Sequence, residues 1–296
     1  MIDARGLLIF HQICRAGSIS GAARALNLSQ PSVSNAISAL EARLGVRLFD
    51  RSRSGIILTA QGEALKVRAE LLHNLLRDAE AEVDSALHGV SGPLRVGGTP
   101  GALVSLLPPA LEALERSGVA LDLSVFERPD AALNDMLRSG EIELAFVTTE
   151  IEPSPPDLIE ATYTRDPFFL VVGRGNDALP DRMSLRDTAA MSWVLPEAQG
   201  AFRRQVDALF IASGLATPRD VIRCDSLLTT KAIVRSGRRV TILPKEVALA
   251  ELSIGVLRAI TLDEAGFTRN VGIRRHRDRA LSPLAQQLIG QLRLLP

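Results

Sequence analysis

The sequence predicts a mixed α/β protein built from three successive parts. Residues 1–58 carry three short helical patterns and then two strand patterns separated by a turn. Residues 59–88 form one long helical pattern, because neither proline nor glycine occurs between Glu63 and His88. From residue 89 onward, short apolar strands alternate with helices, which is typical of α/β folds with a largely parallel sheet.

The first two helices of the N-terminal part are short. Helical spacing relates four residues of the first one, Leu7, Phe10, Ile13 and Cys14. Gly17 ends this helix, and Ser18 or Ser20 caps the second. The small side chains of Ala22 and Ala23 allow the two helices to approach each other closely.

A third helix follows a turn at Asn27 and Leu28. Ser29 caps it, and Pro31 lies in its first turn, where a missing N–H costs nothing. Gly45 ends it as a left-handed cap. Its core stripe consists of Val33, Ile37, Leu40 and Leu44. The opposite face carries only small or uncharged side chains, those of Ser34, Asn35, Ser38, Ala39 and Ala42. Such a face is suited to lie against another polar surface.

A basic hairpin follows, with strands predicted at residues 46–49 and 56–58 around a turn at 51–55. A helix-turn-helix with such a wing fits duplex DNA, since the major groove admits one helix whose short polar side chains reach base edges. Wing arginines neutralise phosphates, which positions a protein without reading sequence. The candidate DNA-binding residues are Ser29, Gln30, Pro31, Ser32, Ser34, Asn35, Ser38, Arg51 and Arg53. Each serine alone is explained as well by capping or solvation, so only the whole set indicates DNA.

The charge distribution singles out the same part of the chain. Residues 1–62 contain seven arginines and three acidic residues, a net charge of +4, whereas the net charge of the whole chain is zero. A basic head on an acidic body indicates an anionic partner for the head. An excess of this size also arises from ordinary scatter of charged residues.

Residues 7–62 resemble the N-terminal domain of LysR-type transcriptional regulators. The matching residues are Phe10, Gly17, Ser18, Ala22, Ala23, Leu26, Ser29 to Ser34, Ile37, Leu40, Glu41, Leu44 to Arg51, Leu58, Thr59 and Gly62. The resemblance implies a winged helix-turn-helix that inserts its third helix into the major groove. Asn35 stands where the family usually has arginine, and Ser38 where a basic or longer polar residue is common. We therefore expect fewer phosphate contacts and a greater dependence on the wing arginines and on dimerisation.

The connecting helix, residues 59–88, is predicted to begin after Thr59 as N-cap. Spacings of four and three relate Leu65, Ala69, Leu72, Leu76, Ala79, Val83 and Ala86, as in the seam of a coiled coil. We expect a dimerisation helix, the alternative being a helix packed on its own domain. Two-fold symmetry then predicts an inverted-repeat DNA site. The family resemblance implies homodimers that often pair into tetramers.

The body, residues 89–296, begins with a hinge at residues 89–93. It resembles the effector domain of the same family, which is similar to a periplasmic binding protein. The resemblance implies two α/β subdomains joined by two crossings, near residues 164–167 and 259–267. Subdomain I would comprise residues 93–164 and 268–296, and subdomain II residues 165–267.

In such folds, ligands bind at the carboxyl ends of strands, in the cleft between the subdomains. The candidate effector-binding residues are Thr99, Pro100, Gly101, Arg128, Thr148, Gly200, Phe202 and Ser226. Residues 98–101 follow a strand and open a helix, which suits an anion, although Thr99 is explained equally by helix capping. Arg238 and Arg239 depart from the family, which usually has a small residue at the second position. They contact an anionic ligand, block the pocket mouth or form a solvated turn, and we favour the last.

Other properties of the chain bound its class. No apolar run is long enough to cross a membrane, and the N-terminus lacks a secretory signal pattern. Cys14 and Cys224 lie far apart, so we expect buried thiols and neither a metal site nor a disulfide. These features predict a cytoplasmic protein with no cofactor and no membrane partner.

The main alternative class is an enzyme built on the body. The sequence contains neither a Gly-x-Ser-x-Gly motif, nor a phosphate-binding loop, nor His-Glu-x-x-His. A ligand-independent architectural DNA binder would leave the two-lobed body without a task. We therefore expect a sequence-specific transcriptional regulator, not an enzyme, controlled by a small organic anion. Its partners would be double-stranded DNA, this effector and further copies of the chain, and RNA polymerase could be another.

Overall fold

The computed structural model describes residues 2–52, 55–118, 120–197, 200–264 and 268–294. The chain divides into two compact units. The first consists of Met1–Pro93 together with Asp135–Ile142, and the second of Leu94–Asn134 and Glu143–Pro296.

The first unit is mostly helical. Its elements are α1 Ala4–Ala16, α2 Ile19–Ala25, α3 Gln30–Leu44, β1 Phe49–Ser52, β2 Gly55–Leu58 and α4 Ala60–His88. The helix boundaries follow the capping residues of the sequence. Asp3, Ser18, Ser29 and Thr59 each accept a backbone N–H at a helix start. Gly17, Gly45 and Gly89 end their helices in the left-handed conformation.

The hairpin begins later than predicted, at Phe49, where residue 49 pairs with Leu58. The reason lies in Glu41 of α3. Its carboxylate accepts the backbone N–H groups of Leu48 at 2.7 Å and of Phe49 at 3.4 Å. These contacts bind the start of the predicted strand to α3. Leu48 is consequently buried in the helical core rather than paired in a strand.

The core of the first unit joins α1, α2 and α3 to the hairpin and the start of α4. Its buried members are Ile9, Phe10, Ile13, Ala22, Ala23, Val33, Ile37, Leu40, Leu48 and Ala69. Gly62 allows α4 to start close to the hairpin, because a Cβ there would overlap the carbonyl oxygen of Leu48. The head and the first turns of α4 therefore form one packed body.

The second unit is an α/β structure. Its strands are β3 Ser91–Gly98, β4 Leu121–Glu127, β5 Leu144–Thr149, β6 Leu158–Gly173, β7 Arg182–Met183, β8 Trp193–Leu195, β9 Val221–Arg223, β10 Thr241–Pro244, β11 Leu257–Leu262 and β12 Thr268–His276. Its helices are α5 Pro100–Glu115, α6 Asp130–Ser139, α7 Ala201–Ala212, α8 Leu227–Ser236, α9 Lys245–Ser253 and α10 Pro283–Leu292. By contacts, the end of α6 belongs to the first unit.

The main sheet is mixed rather than largely parallel, which corrects the prediction. Strand order is β4-β3-β5-β12-β6-β11-β7, with β10 also paired to β6. β3 and β5 are parallel, but β12 is antiparallel to both β5 and β6. The long strand β6 and the returning strand β12 cause the difference, because β6 is antiparallel to β10, β11 and β12.

Among the described residues of the second unit, buried apolar side chains form three clusters, one of which contains Val171, Val194 and Leu243. Another joins β3, β5 and β12 to α5 and α10, and we call this part subdomain I. The third surrounds Trp193, Phe168 and Phe210, and we call it subdomain II. The predicted first crossing, at residues 164–167, lies inside the continuous strand β6. Part of the predicted second crossing, residues 265–267, lies outside the described residues. Within the described residues, no helix is long and apolar enough to span a membrane.

Candidate DNA interface and ligand cleft

The turn between α2 and α3 sets the exposed face of α3. Asn27 adopts a left-handed conformation with φ of 54°, and the N–H of Leu28 donates to the carbonyl of Ala23 at 2.9 Å. Asparagine is among the few residues that tolerate this conformation. Ala22 and Ala23 are buried, which lets α2 pack closely. The outer face of α3 remains exposed as the sequence predicts.

Several candidate DNA-binding residues at the start of α3 are committed to neighbours. The Ser29 hydroxyl accepts the N–H of Ser32 at 3.3 Å, and the two serine hydroxyls lie 2.7 Å apart. The Oε1 atom of Gln30 accepts a hydrogen bond of 3.3 Å from the hydroxyl of Ser20. Pro31 is exposed in the first turn. Ser29 and Ser32 thus form the N-terminal cap of α3.

The remaining candidates on α3 differ in exposure. Ser34 is half-buried, whereas Asn35 and Ser38 are exposed. Neither Asn35 nor Ser38 has a side-chain hydrogen bond to any residue that the structure describes. Of the predicted readers, Asn35, Ser38 and the Nε2 atom of Gln30 therefore retain unused hydrogen-bonding groups.

The two wing arginines are described only in part. Arg51 lies in β1, opposite Ile56, and its backbone alone is described. Arg53 lies outside the described residues. Their phosphate-binding role stays a prediction.

Two further arginines lie beside the exposed face of α3, and sequence reasoning missed them. An open groove of about 320 Å³ between α1 and α3 is lined by Arg5 and Arg43, together with Asp3, Ser32 and Ala39. Helical spacing alone relates Ala39 to Arg43. The position of Arg5 depends on the packing of α1 against α3. Both side chains add positive charge beside the face that would meet DNA.

A buried polar contact joins α1 to α4. The rings of His11 and His73 stack with centroids 4.4 Å apart. Burial lowers the pKa of His11 to about 4, and the nearby charges of His73 and Arg15 act in the same direction. Burial, then Arg15 and Arg77, also lowers the pKa of His73. Both rings are therefore neutral at pH 7.

Cys14, close to this contact, is not a reactive thiolate. Burial raises the pKa of its thiol to about 11. A protonated thiol is a poor nucleophile. Cys14 and Cys224 are both half-buried rather than buried as predicted.

In the second unit, Thr99 begins α5 without capping it. Its backbone is extended as in an N-cap, but its side chain makes no capping hydrogen bond. Its N–H donates to the carbonyl of Phe146 at 3.0 Å. Simple capping therefore does not explain Thr99, and its hydroxyl is left without a partner among the described residues.

Gly101, in the first turn of α5, lies against a buried ion pair that the sequence did not reveal. Arg269 of β12 and Asp166 of β6 approach to 2.9 Å, and their side chains are 4% and 0% exposed. The same nitrogen, Nη2 of Arg269, also donates to Ser105 Oγ at 2.7 Å and to the carbonyl of Gly101 at 3.0 Å. A Cβ at Gly101 would overlap the guanidinium.

Asp166 connects this pair to subdomain II. Its Oδ1 accepts the N–H of Glu246 at 3.2 Å, at the start of α9, where Pro244 provides no side-chain cap. The pair thus binds the first turn of α5 and the first turn of α9 to the two strands that cross between the subdomains. Burial lowers the pKa of Arg269, and Asp166 opposes this effect.

Thr148 and Thr149, at the end of β5, differ in whether the side-chain hydroxyl has a hydrogen-bond partner. Both are buried. The hydroxyl of Thr149 lies 2.6 Å from that of Thr162, whereas the hydroxyl of Thr148 has no hydrogen bond within the described residues. Thr148 therefore retains an unused group for a ligand.

The other effector candidates are spread over several loops. Arg128 is exposed and its Nη1 donates to the carbonyl of Glu127 at 2.8 Å. Gly200 precedes α7 and has open space where a Cβ would be. The ring of Phe202 stacks on that of Phe168 with centroids 6.2 Å apart. Ser226 caps α8 by accepting the N–H of Thr229 at 3.2 Å. Phe202 and Ser226 thus have structural roles of their own.

Arg239 is not part of a solvated turn, and that prediction is wrong for this residue. Its guanidinium donates to the carbonyl of Trp193 at 3.1 Å and to Asp220 at 2.9 Å. The hydroxyl of Ser192 and the guanidinium of Arg239 hold the pKa of Asp220 below its usual range. Arg239 therefore stabilises the β8–β9 pair. Arg238 is exposed, as predicted.

Comparison with known families and proteins agrees with this architecture. Residues 4–63 match the model of the bacterial regulatory helix-turn-helix protein of the lysR family, and residues 87–294 match the LysR substrate binding domain. Within the described residues, no group of three or more His, Cys, Asp or Glu side chains could hold a metal ion.

Curated relatives and solved structures cover the chain almost completely. The chain is 25% identical to the transcriptional regulator GalR of Pseudomonas putida, over 99% of this chain and 74% of that protein. It is 29% identical to the RuBisCO operon transcriptional regulator of Allochromatium vinosum, over 96% of this chain and 93% of that protein. Full-length CbnR in complex with its target DNA superposes with a TM-score of 0.72 at 22% identity, covering 99% of each chain.

These relatives are transcriptional regulators rather than enzymes, and the two family models together cover nearly every element described above. The chain therefore belongs to the LysR family and is a DNA-binding transcriptional regulator with an effector-binding domain.

Proposed function

We propose that this regulator binds an inverted-repeat site in double-stranded DNA as a dimer and responds to a small organic anion. The observation that carries the DNA part is the outer face of α3. Asn35, Ser38 and Nε2 of Gln30 present unused hydrogen-bonding groups there, and short polar groups of this kind reach base edges in the major groove. The complex of CbnR with its target DNA supports this use of the same fold.

The two halves of α4 support dimerisation through its C-terminal half. Leu65 and Ala69, the first residues of the predicted seam, pack into the core of their own head. Further along, Leu76, Val83 and Leu87 are 44%, 64% and 79% exposed. An apolar stripe at this spacing is suited to a second copy of the same helix. We therefore infer that the start of α4 packs on its own domain and that its C-terminal half forms the dimer contact.

The effector would bind where the first turn of α5 meets the end of β5. The unused hydroxyls of Thr99 and Thr148 and the N–H of Gly101, at the start of α5, suit a carboxylate. Gly200 would let a ligand approach the backbone at α7. An organic acid that binds two arrangements of the subdomains with different affinities would shift the regulator between them. We place this activity in the cytoplasm, with RNA polymerase as a further partner.

The DNA part is tested by selection from a randomised duplex library with the full chain. We expect an enriched inverted repeat. Arg51→Ala should weaken binding to all duplexes alike and reduce the salt slope by about 1. Enrichment of no sequence would contradict sequence-specific recognition.

Dimerisation is tested by the double substitution Leu76→Asp and Val83→Asp. We expect the dimer dissociation constant to rise by more than about tenfold, since each buried side chain contributes about 1.5–3 kcal/mol. Light scattering measures the mass, with Ile254→Asp, at an exposed apolar residue outside α4, as the control. An unchanged mass would exclude this stripe as the interface.

The effector part is tested by thermal shift with a panel of mono- and dicarboxylic acids. We expect at least one acid to raise the melting temperature of the wild type and of Ser236→Ala, but not of Thr99→Ala. Equal shifts in all three proteins would show that the acid binds elsewhere.

A further inference from the structure

The start of α3 is joined to α2 by one side-chain hydrogen bond that the DNA-reading role of α3 does not by itself require. The hydroxyl of Ser20, in α2, lies 3.3 Å from Oε1 of Gln30, the first residue of α3. Both residues are exposed. The contact therefore contributes little to the stability of the core, and its main effect is to restrict the side chain of Gln30.

The fold brings these two residues together although ten positions separate them. The left-handed Asn27 turns the chain sharply, and the buried Ala22 and Ala23 let α2 lie close to the core. The neighbouring serines do not compete for Gln30. Ser18 caps α2, and Ser29 is engaged with Ser32. Within the described residues, the Ser20 hydroxyl has no other partner and neither has the Gln30 side chain.

A glutamine is a flexible side chain, and fixing it costs free energy on binding. A hydrogen bond to Oε1 restricts the side chain before DNA arrives. Because Oε1 is the atom that is held, Nε2 keeps both of its N–H donors for the groove. In the major groove these donors match acceptors such as N7 of a purine, O6 of guanine or O4 of thymine.

We propose that Ser20 is a positioning residue for base recognition, which holds Gln30 in the orientation that reads the base. This rests on the base-reading role proposed above for Gln30. Ser20 acts through Gln30 and contacts neither base nor phosphate itself. Its contribution is therefore to sequence preference and not to overall DNA affinity.

The test uses the full chain and the duplex enriched from the randomised library. Fluorescence anisotropy compares its affinity with that of duplexes changed at each base pair in turn, for Ser20→Ala, Ser20→Thr, Gln30→Ala and the double variant. Gln30→Ala identifies the base pair that Gln30 reads, where we expect a loss of discrimination of about tenfold or more. Ser20→Ala should lose about threefold at that same base pair.

Three further results are expected. Ser20→Thr keeps its hydroxyl and retains the wild-type preference. The double variant equals Gln30→Ala, because Ser20 has nothing left to position. The salt slope and the affinity for non-specific DNA stay unchanged in Ser20→Ala, whose melting temperature matches that of the control Ser253→Ala.

Other outcomes overturn the proposal. If Gln30→Ala lowers discrimination and Ser20→Ala does not, positioning is wrong and base reading by Gln30 stands. If Ser20→Ala weakens all duplexes alike and flattens the salt slope, Ser20 binds phosphate. If the two effects add in the double variant, Ser20 acts independently. If Gln30→Ala leaves every base preference intact, base reading by Gln30 fails, and positioning fails with it.

Discussion

The outer face of α3 and the buried ion pair beside α5 use polar residues in opposite ways. On α3, Asn35 and Ser38 are exposed and keep their hydrogen-bonding groups unused. Beside α5, Arg269 and Asp166 are buried and engaged with three backbone or side-chain partners besides each other. The polar groups of α3 that await DNA are exposed, so water satisfies their hydrogen bonds until DNA binds. Charged groups that hold the fold must be paired before they are buried.

The largest expected effect follows from breaking the buried pair. Asp166→Ala leaves the guanidinium of Arg269 without its counter-charge and should reduce the free energy of unfolding by about 3–5 kcal/mol. Urea denaturation of the full chain measures this loss. The matched control is Asp263→Ala, which removes the exposed ion pair with Arg182 and should cost no more than about 1 kcal/mol. Equal losses in both variants would show that burial of the pair does not matter.

A smaller effect, and on a different property, is expected at α3. Asn35→Ala should leave the free energy of unfolding within about 0.5 kcal/mol of wild type. It should reduce discrimination at one base pair by about tenfold, since a good paired contact contributes about 1–3 kcal/mol. Urea denaturation and anisotropy on the enriched duplex give the two values. A stability loss with unchanged base preference would place Asn35 with the structural residues instead.

The smallest effect is expected at the stacked histidines of α1 and α4. His11 has a folded-state pKa of about 4, below its ordinary value of 6.5. Below pH 6.5 the unfolded chain therefore takes up a proton that the folded chain does not, and stability falls as the pH decreases toward 4.

Between pH 7 and pH 5.5 this effect should amount to at most about 1 kcal/mol, reduced by partial solvent screening. His73 acts in the same direction. Urea midpoints across this range measure the loss, and His11→Gln should flatten the dependence. A pH dependence identical in His11→Gln and the wild type would assign it to other groups.

Local features of the fold were predictable because they depend on neighbours in sequence. The caps at Ser29 and Gly45 fix both ends of α3, and the glycine- and proline-free run predicts α4, which ends at His88. The exposed face of α3 follows from helical periodicity alone. The family resemblance then led from this face to DNA.

Features that depend on distant residues were missed or misjudged. The strand predicted from residue 46 begins at Phe49, because Glu41 holds the intervening backbone. The antiparallel pairing of β6 with β10, β11 and β12 makes the sheet mixed. Arg239 is engaged with Asp220, nineteen residues earlier in the chain. A periodic pattern contains no information about such partners, since it describes one element at a time.

Capping and periodicity act within a few residues, so the helix-turn-helix, the connecting helix and the family were predictable without a structure. Which of those residues stay available depends on tertiary packing. Packing brings Ser29 into a hydrogen bond with Ser32, and Gln30 into one with Ser20. It divides α4 into a packed half and an exposed half, and it pairs Arg269 with Asp166, 103 residues away. Burial and hydrogen-bond pairing are properties of contacts in space, and these contacts form only once the elements pack.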